Sequence, residues 1–513
     1  MIRVLALLLI AALARPVSAE EFGTSIEGSF LGPDGEMLEI DPMYQRHFAL
    51  GPPHYMRSLA WQVGLLTLGT AWYWLEADVN ARDWDYPNFL DRFSSKGVRF
   101  DNNSFTINHF SHPTAGAFYY LTARGNNFGV AGAALTSFLT SAVWEFGLEF
   151  REKVSINDQV FTPGAGIAMG EIFYRLGHYL NSAPGGGTWV HKALGWVIGW
   201  PVAVHRWLDD VPPVDDGMTD SLGYSAAYSH RFRLAWRGAT EEDTLGDTGF
   251  LQGAELEFDL VAMPGFMRPG KFSVLFDDGN FTHFDGAFAF NEAGEAAHMD
   301  FWFESALYGQ YQQNMEGPED AISGMASRLS ITFAFEHVQR WKPGPRDRRA
   351  VLHLPGANAA VWVALGGLVG HLELALHPDF SAIDSVAFPL WKGNHEEVLA
   401  RSVVEKHGYY IGYGGTTWIL ADLSYKGLAL EGRIRYGHVN SIEGIDRAQE
   451  DIDNDIELED DILEYRARFG YSAPDWLVSG RLEYQFIERK GSAAGASGLR
   501  SWNRYVATAG VQF

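Results

Sequence analysis

The last strand-like run of the chain constrains the fold more than any other feature. In residues 500–513 an apolar face is formed by Tyr505, Ala507, Ala509, Val511 and Phe513, and Phe513 is the final residue. Because alternate residues of a strand share one face, the run predicts a strand with one apolar side. An apolar face with a terminal aromatic residue is typical of the closing strand of bacterial outer-membrane barrels, which the barrel-assembly machinery reads. We therefore expect a β-barrel, with that machinery as a partner.

The same period of two runs through the second half of the chain, after a turn-rich boundary at 212–217. Short connections alternate with long ones, as in closed barrels that have turns on the periplasmic side and loops outside. We expect short turns at 367, 425–426 and 473–474, long loops at 377–408, 440–460 and 489–499, and a bend at 277–279. About twelve strands are expected, near 222–237, 249–262, 271–290, 297–311, 326–339, 357–366, 368–376, 409–424, 427–439, 461–472, 475–488 and 500–513.

The N-terminus has the features of an exported chain. It resembles a secretory signal peptide, with a positive charge at Arg3, an apolar run at 4–13 and small residues at 17–19. Residues 20–54 contain turn signals and predict an irregular periplasmic arm with room for one short hairpin, in which Asp41-Pro42 interrupts any helix. The predicted domains are a signal peptide (1–19), the arm (20–54), a helical domain (55–212) and an outer-membrane β-barrel (218–513).

The composition excludes several kinds of site. The chain has no cysteine, which excludes disulfides, thiol nucleophiles and thiolate metal ligands. Its formal net charge of −25 argues against nucleic acid as a partner. Aromatic residues make up 14%, a content typical of aromatic girdles in membrane barrels. The predicted fold class is therefore α+β, with a helical domain before a transmembrane antiparallel barrel in the outer membrane of a Gram-negative envelope.

The helical domain is expected to contain five helices with unusually apolar surfaces. Leu59–Leu75 is apolar nearly all round; with 17 residues it is at the lower limit for a membrane span, and we expect a buried helix instead. Pro113 and Pro163 are expected at helix starts, and Gly166 and Gly170 give one helix a flat face for close packing. The remaining helices are expected at 115–123, 131–151, 165–180 and 189–207.

Ionisable side chains concentrate in this domain. One polar stripe recurs every four residues on a helix, formed by Ser137, Ser141, Glu145 and Glu149. Two glutamates one turn apart repel when both are buried and charged, so we expect a salt bridge to Arg124 or Arg175, or a role as acid/base pair or cation ligands. His109 and His112 could join Glu145, Glu149 or Glu171 in a metal site.

The other polar groups of the domain suggest structural roles. Glu171 and Arg175 are one turn apart in the orientation that favours an ion pair, and His178 shares their face. Ser155, Asn157 and Asp158 are turn and cap residues.

Two charged segments are expected to face outside the cell. Residues 450–464 are mostly acidic and predict a solvated loop, with loose binding of calcium or magnesium as the alternative; Ile456 stands where a calcium loop of the EF-hand type requires glycine. Residues 340–349 form a basic segment that predicts a solvated loop or contact with lipopolysaccharide.

The helical stretch resembles an uncharacterised bacterial family, the domain of unknown function 3943, over roughly residues 85–210. The resemblance implies the pairing of a helical region with a downstream barrel-like half, but it brings no assigned activity. The matching positions are Asn108, His109, His112, Pro113, Gly116, Tyr119, Tyr120, Ala123, Arg124, Ser141, Trp144, Glu145, Glu149, Ser155, Asn157, Asp158, Gly164, Gly166, Gly170, Glu171, Tyr174, Arg175 and Leu176.

Two functions fit these patterns. The first is a barrel that binds or passes an envelope component, with the helices as a plug or periplasmic cap and outer-membrane lipids and lipopolysaccharide as partners. The second is an envelope lipid-modifying hydrolase, with or without a divalent cation; no other cofactor is expected. The catalytic candidates are His109, His112, Glu145, Glu149 and Glu171, the metal candidates are the first four of these, and the binding candidates are Asn108, Arg124, Asp158, Arg175 and His178.

Overall fold

The computed structural model describes residues 26–513 except 33–34, 76–88, 95–96, 101–102, 150–152, 216, 245, 343, 395–402, 443–455 and 474–476. The predicted signal peptide lies outside the described residues. The strands are β1 (Ile26–Leu31), β2 (Met37–Glu39), β3 (Val98–Arg99), β4 (Val154–Ser155), β5 (Tyr228–Asp243), β6 (Thr248–Ala262), β7 (Gly270–Phe276), β8 (Phe281–Asn291), β9 (Ala296–Glu316), β10 (Ser323–Arg340), β11 (Asp347–Leu365), β12 (Leu368–Asp384), β13 (Tyr409–Tyr425), β14 (Leu428–Ser441), β15 (Leu458–Ala473), β16 (Val478–Ala493) and β17 (Ala496–Gln512).

Among the described residues, twelve antiparallel strands close a barrel, which confirms the predicted fold class. They are β5, β6 and β8–β17, and the pairing of β17 with β5 completes the ring. One end of the barrel carries the tight turns 366–367 and 426–427 and is called the short-turn end. The other carries the loops 385–408 and 442–457 and is called the long-loop end. Short turns on one side are typical of the periplasmic end of outer-membrane barrels.

Two expected loops are wrong in whole or in part. The long loop at 489–499 is instead strand, and only Ala494 and Gly495 connect β16 to β17. Its polar residues suggested a loop, but side chains such as Arg489 point into the barrel, where polarity is normal. The basic segment 340–349 is a loop only between the strands, since Arg340 is buried at the end of β10 and Arg348 and Arg349 are buried in β11.

The two faces of the barrel wall differ in polarity. Ion pairs join side chains from strands that are not neighbours, such as Arg435 on β14 to Glu336 on β10 and Arg468 on β15 to Asp285 on β8. These contacts cross the ring, so this face lines the lumen. The opposite face exposes a belt of apolar and aromatic residues, as lipid-facing walls do. The belt includes Leu234, Trp236, Leu256, Leu329, Ile331, Leu374, Leu376, Tyr413, Ile419, Leu430, Ile434, Phe469, Leu482 and Tyr505.

The predicted bend at 277–279 is present. β7 and β8 pair with successive parts of β9, and residues 277–280 interrupt them. β7 pairs on its other side with β1, so the N-terminal arm extends the sheet. The short hairpin predicted in the arm is present, formed by β1 and β2, but the arm also contains a helix that was not predicted, α1 (Ile40–Phe48). The expectation that Asp41-Pro42 breaks a helix is wrong, because both lie in the first turn, where proline costs little.

The helical region contains α2 (Tyr55–Leu75), α3 (His112–Gly125), α4 (Val130–Val143), α5 (Ile156–Leu180), α6 (Trp189–Val197) and α7 (Trp200–Leu208). Together with the π-helical turns Ile107–Ser111 and Trp144–Leu148 they are called the helical module. Short helices α8 (Phe388–Lys392) and α9 (Val403–His407) belong to a barrel loop. Pro163 lies inside α5 rather than at its start, and the expected helix 189–207 is broken before Pro201.

The predicted close packing at glycines is confirmed between α3 and α5. A Cβ added to Gly166 would lie 2.5 Å from the carbonyl carbon of Gly116, and one added to Gly116 would lie 1.7 Å from the Thr162 carbonyl oxygen. The two backbones therefore touch, as in the small-residue contacts of membrane helices.

The helical module packs on the outer face of the barrel. Beneath α5 lies a row of outward-facing residues that are paired one to the next across seven strands. Phe161 of α5 stacks near Phe380 at one end of the row, with ring centroids 5.2 Å apart, and Tyr179 lies 5.5 Å from Phe232 at the other. The row is formed by Phe232, Phe258, Phe284, Phe303, Phe335, Leu352 and Phe380.

The expectation of a lumenal plug or periplasmic cap with an inserted helix is therefore wrong for the described helical module. In the sequence, this row has the same apolar alternation as a lipid-facing strand face. Only the packing of the structure shows that a helix covers it. The expected burial of Leu59–Leu75 is also wrong, because Leu68 is 70% exposed and Trp72 is 59% exposed. No described helix combines the length and hydropathy of a membrane-spanning segment.

Candidate metal centre and its surroundings

Three predicted candidates come together in the helical module. One ligand atom from each of His112, Glu145 and Asp158 lies within 4.8 Å of the other two. The His112 Nε2 is 3.8 Å from the Asp158 Oδ2, and the side chain of His112 is 18% exposed. Glu145 and Asp158 are buried. Two carboxylates and an imidazole this close form a donor set that suits a divalent transition metal.

Local structure places each of the three side chains. Ser155 caps α5: its Oγ accepts a hydrogen bond from the Asp158 N–H at 3.1 Å, which fixes Asp158 in the first turn. The Ser155 N–H donates to Glu145 Oε2 at 3.1 Å. The predicted cap role of Ser155 is confirmed, and the same cap orients two of the three candidate ligands.

Irregular helix geometry borders the centre on two sides. Glu145 lies in the π-helical turn Trp144–Leu148, and His112 directly follows the π-helical turn Ile107–Ser111. Such turns are frequent at functional sites because they re-aim side chains out of the regular helical spiral. Sequence spacing alone does not reveal them, since the polar stripe at 137–149 reads as an uninterrupted helix.

His109 and Glu149, two of the predicted ligands, are not part of this group of three. His109 is fully buried; its Nδ1 lies 3.1 Å from the Phe105 carbonyl oxygen, and its ring packs against Phe161 and Tyr409. Burial lowers the pKa of His109 well below its ordinary value, and His337 adds to the effect. The imidazole is therefore neutral and acts in packing.

Glu171, Arg124 and Arg175 form a clamp between the module and the wall. Glu171 bonds Arg124 at 2.8 Å and Arg175 at 2.9 Å, which confirms the predicted pairing of Glu171 with Arg175. Both arginines also reach Asp278, at 2.8 Å and 2.7 Å, in the bend between β7 and β8. The expected pairing of these arginines with Glu145 or Glu149 is not observed. Their second carboxylate partner, beside Glu171, is Asp278.

Asp278 is the residue of the clamp that sequence reasoning missed. The only signal was the Asp-Asp-Gly bend inside a strand. Asp278 and Glu171 together offset the cost of burying the Arg124 and Arg175 guanidinium groups. The four groups pair with one another between the module and the wall, so the clamp is structural.

The two remaining binding candidates also contact neighbours. The Asn108 amide donates to the Tyr409 hydroxyl at 3.3 Å, which joins the module to the start of β13. The ring of His178 lies 4.5 Å from that of Tyr174.

Paired charges fill the lumen. Arg340 reaches Glu241 at 2.7 Å, Arg489 reaches Asp460 at 2.9 Å, and Arg481 reaches Glu257 at 2.7 Å. Other charged residues of the lumen, among them Arg468 and Asp285, line a cavity of about 30 Å³. This is room for about two water molecules. The predicted acidic loop lies partly outside the described residues; its described end, from Leu458, is strand.

A search of solved structures finds outer-membrane proteins that are similar to this chain at low identity and low TM-score. A loop-deletion mutant of OmpT from Vibrio cholerae is 8% identical, covering 55% of this chain and 99% of that one, with a TM-score of 0.20. OpdK from Pseudomonas aeruginosa, solved with vanillate, is 12% identical, covering 56% and 99%, with a TM-score of 0.19. The translocator domain of the autotransporter NalP from Neisseria meningitidis is 12% identical, covering 60% and 94%, with a TM-score of 0.21.

No curated protein matches the chain. The closed barrel, its apolar belt and its polar lumen are the architecture of outer-membrane proteins, and the protein is located in the outer membrane. His112, Glu145, Asp158 and the three helical members of the clamp all lie within residues 97–201. That segment matches the family model of the Domain of unknown function (DUF3943), which confirms the resemblance predicted from the sequence.

Proposed function

We propose that the protein binds an envelope component at the helical module, with a divalent cation held by His112, Glu145 and Asp158. The observation that carries the proposal is the convergence of these three ligand atoms within 4.8 Å. Carboxylate oxygens and an imidazole nitrogen at this separation are the ligands that divalent metal ions take in proteins. The exposed edge of His112 gives the site an opening to the outside.

The lumen supports binding rather than passage. Arginine–carboxylate pairs such as Arg468 with Asp285 and Arg340 with Glu241 cross it between strands that are not neighbours. A solute would have to break several buried ion pairs at once, each costly to separate. The barrel is thus proposed to serve as a scaffold that holds the helical module in the outer membrane.

Metal analysis of the full-length protein tests this proposal. Protein purified in detergent is stripped with a chelator, reloaded with zinc or manganese, freed of excess metal and measured by elemental analysis. We expect about one ion per chain. His112→Ala, Glu145→Gln and Asp158→Asn are each expected to weaken binding by about 10- to 100-fold.

Glu149→Gln is the matched control, because Glu149 directly follows the π-helical turn that carries Glu145 but lies outside the group of three. It should retain the metal, and His109→Ala should retain it as well. Folding of each variant is checked by its helical circular dichroism. A folded protein that takes up no metal, or whose bound metal survives all three ligand substitutions, would overturn the proposal.

A second candidate function is metal-dependent hydrolysis of an envelope lipid. It is favoured by the ligand count, because catalytic zinc sites use three protein ligands and leave the fourth position for water. Cleavage of an ester by water would release a free acid and an alcohol. Outer-membrane lipids incubated with metal-loaded protein should then yield free fatty acid, and the Asp158→Asn variant should not; equal yields from both would exclude this reaction.

A further inference from the structure

The helical module crosses the lipid-facing belt from one edge to the other. On β5 the exposed belt residues Leu234 and Trp236 lie on the long-loop side of the row under α5. On β12 the exposed Leu374 and Leu376 lie on the short-turn side of the same row. The row, and α5 on it, therefore passes obliquely through the belt. With about 1.5 Å of rise per residue, α5 is about 37 Å long, comparable to the hydrocarbon thickness.

The helices of the module have inverted polarity. In α2, Ser58 and Gln62 are buried, and the Gln62 amide donates to the Tyr119 carbonyl oxygen at 3.1 Å, whereas Leu68 and Trp72 face outward. A helix on the surface of a water-soluble domain shows the opposite arrangement.

The same inversion recurs in α4. Ser137 and Ser141 are buried, whereas Leu139 and Val143 are about half exposed. Both helices thus expose apolar side chains and bury polar ones. This arrangement is typical of helices that are surrounded by lipid.

The apolar surface of the module is continuous with the belt of the wall. Tyr413, an exposed belt residue, is the strand partner of Phe380, which lies under α5. Leu256 is exposed two residues from the covered Phe258 on the same strand. The wall therefore passes from lipid contact to module contact within one or two residues.

We propose that the outward surface of the helical module is covered by the acyl chains of the outer membrane, so that the module is embedded beside the barrel. The N-terminal end of α5, with Asp158, then lies at the long-loop edge of the belt, where the headgroups of the outer leaflet begin. The embedding also deepens the proposed function: the envelope component at the cation site would be a membrane lipid that arrives laterally, and this second step alone rests on the proposed function.

Site-directed spin labelling tests the embedding without reference to metal. The chain has no cysteine, so single cysteines can be labelled cleanly. Leu68→Cys and Val143→Cys place labels on α2 and on the end of α4. Leu374→Cys gives a lipid-facing control on the wall, and Glu295→Cys gives an aqueous control, since the Glu295 side chain is 56% exposed in a loop.

In lipid vesicles, oxygen should relax the labels at 68 and 143 as strongly as the label at 374, and a water-soluble nickel chelate should relax only the label at 295. Labels at 68 and 143 that behave like the one at 295 would overturn the embedding. So would labels there that neither relaxing agent reaches, because they would indicate a protein cover. Failure of metal binding with lipid-like labels would refute the proposed function and leave the embedding intact.

Discussion

At the scale of single residues, Asp278 ties two halves of the molecule together. It lies where the barrel wall bends between β7 and β8, and it meets two arginines that the helical module keeps away from water. A buried ion pair contributes little beyond its desolvation cost, but removal of one partner leaves uncompensated charge. The clamp therefore fixes the position of the module more than it adds to total stability.

Substitution of Asp278 should release the module. Asp278→Ala leaves Arg124 and Arg175 with one carboxylate, and we expect a loss of about 3–5 kcal/mol in stability. Thermal loss of helical circular dichroism in detergent measures it. The matched control is Asp277→Ala, because Asp277 is exposed in the same bend; equal losses from both substitutions would contradict the clamp.

His109 should make stability depend on pH. Its pKa is lowered in the folded protein by burial, whereas an unfolded histidine titrates near 6.5. The unfolded chain therefore binds the extra proton more readily, so stability is complete above about pH 6.5 and falls as the pH drops below it.

His109→Gln should flatten this fall in the thermal midpoint between pH 7 and pH 5. His438→Gln should leave it unchanged, because the His438 side chain is 40% exposed. An unchanged slope in the His109 variant would show that its burial does not govern the acid sensitivity.

At the scale of elements, the contact between α3 and α5 has no spare room. Gly116→Ala would place a Cβ 1.7 Å from the Thr162 carbonyl oxygen, so the backbones must separate. We expect a loss of about 1–3 kcal/mol, typical of overpacking. Gly64→Ala on α2 is the control, since nothing lies within 4 Å of its added Cβ. Heating while helical circular dichroism is recorded measures both; a neutral Gly116 variant would contradict the close contact.

The elements were largely predictable, but their arrangement was not. Period-two alternation revealed the strands because each wall residue faces either lipid or lumen. The row from Phe232 to Phe380 shows the same alternation whether lipid or α5 covers it, so the sequence could not distinguish a module outside from a plug inside.

The candidate centre was half predictable for a similar reason. His112 and Glu145 stood out as ionisable residues in apolar helices. Asp158 was predicted as a cap residue and binding candidate but not as a metal ligand, because its approach to the other two depends on the cap of Ser155 and on two π-helical turns. These arise from tertiary packing and have no periodic signature.

At the scale of the whole molecule, charged side chains pair with one another inside the barrel, and the helical module packs on the outer face of the wall. Ion pairs such as Arg435 with Glu336 cross the lumen, and the helical module outside the wall holds the only group of three candidate metal ligands found among the described residues. Function is therefore expected beside the barrel and not through it.

Ion conductance across a planar lipid bilayer tests this central claim most directly. Folded full-length protein, inserted from detergent and shown by circular dichroism to retain its helices and strands, should give no current steps above the baseline in salt solution. Reproducible, discrete current steps from the folded protein would show that the lumen is open and would contradict the account.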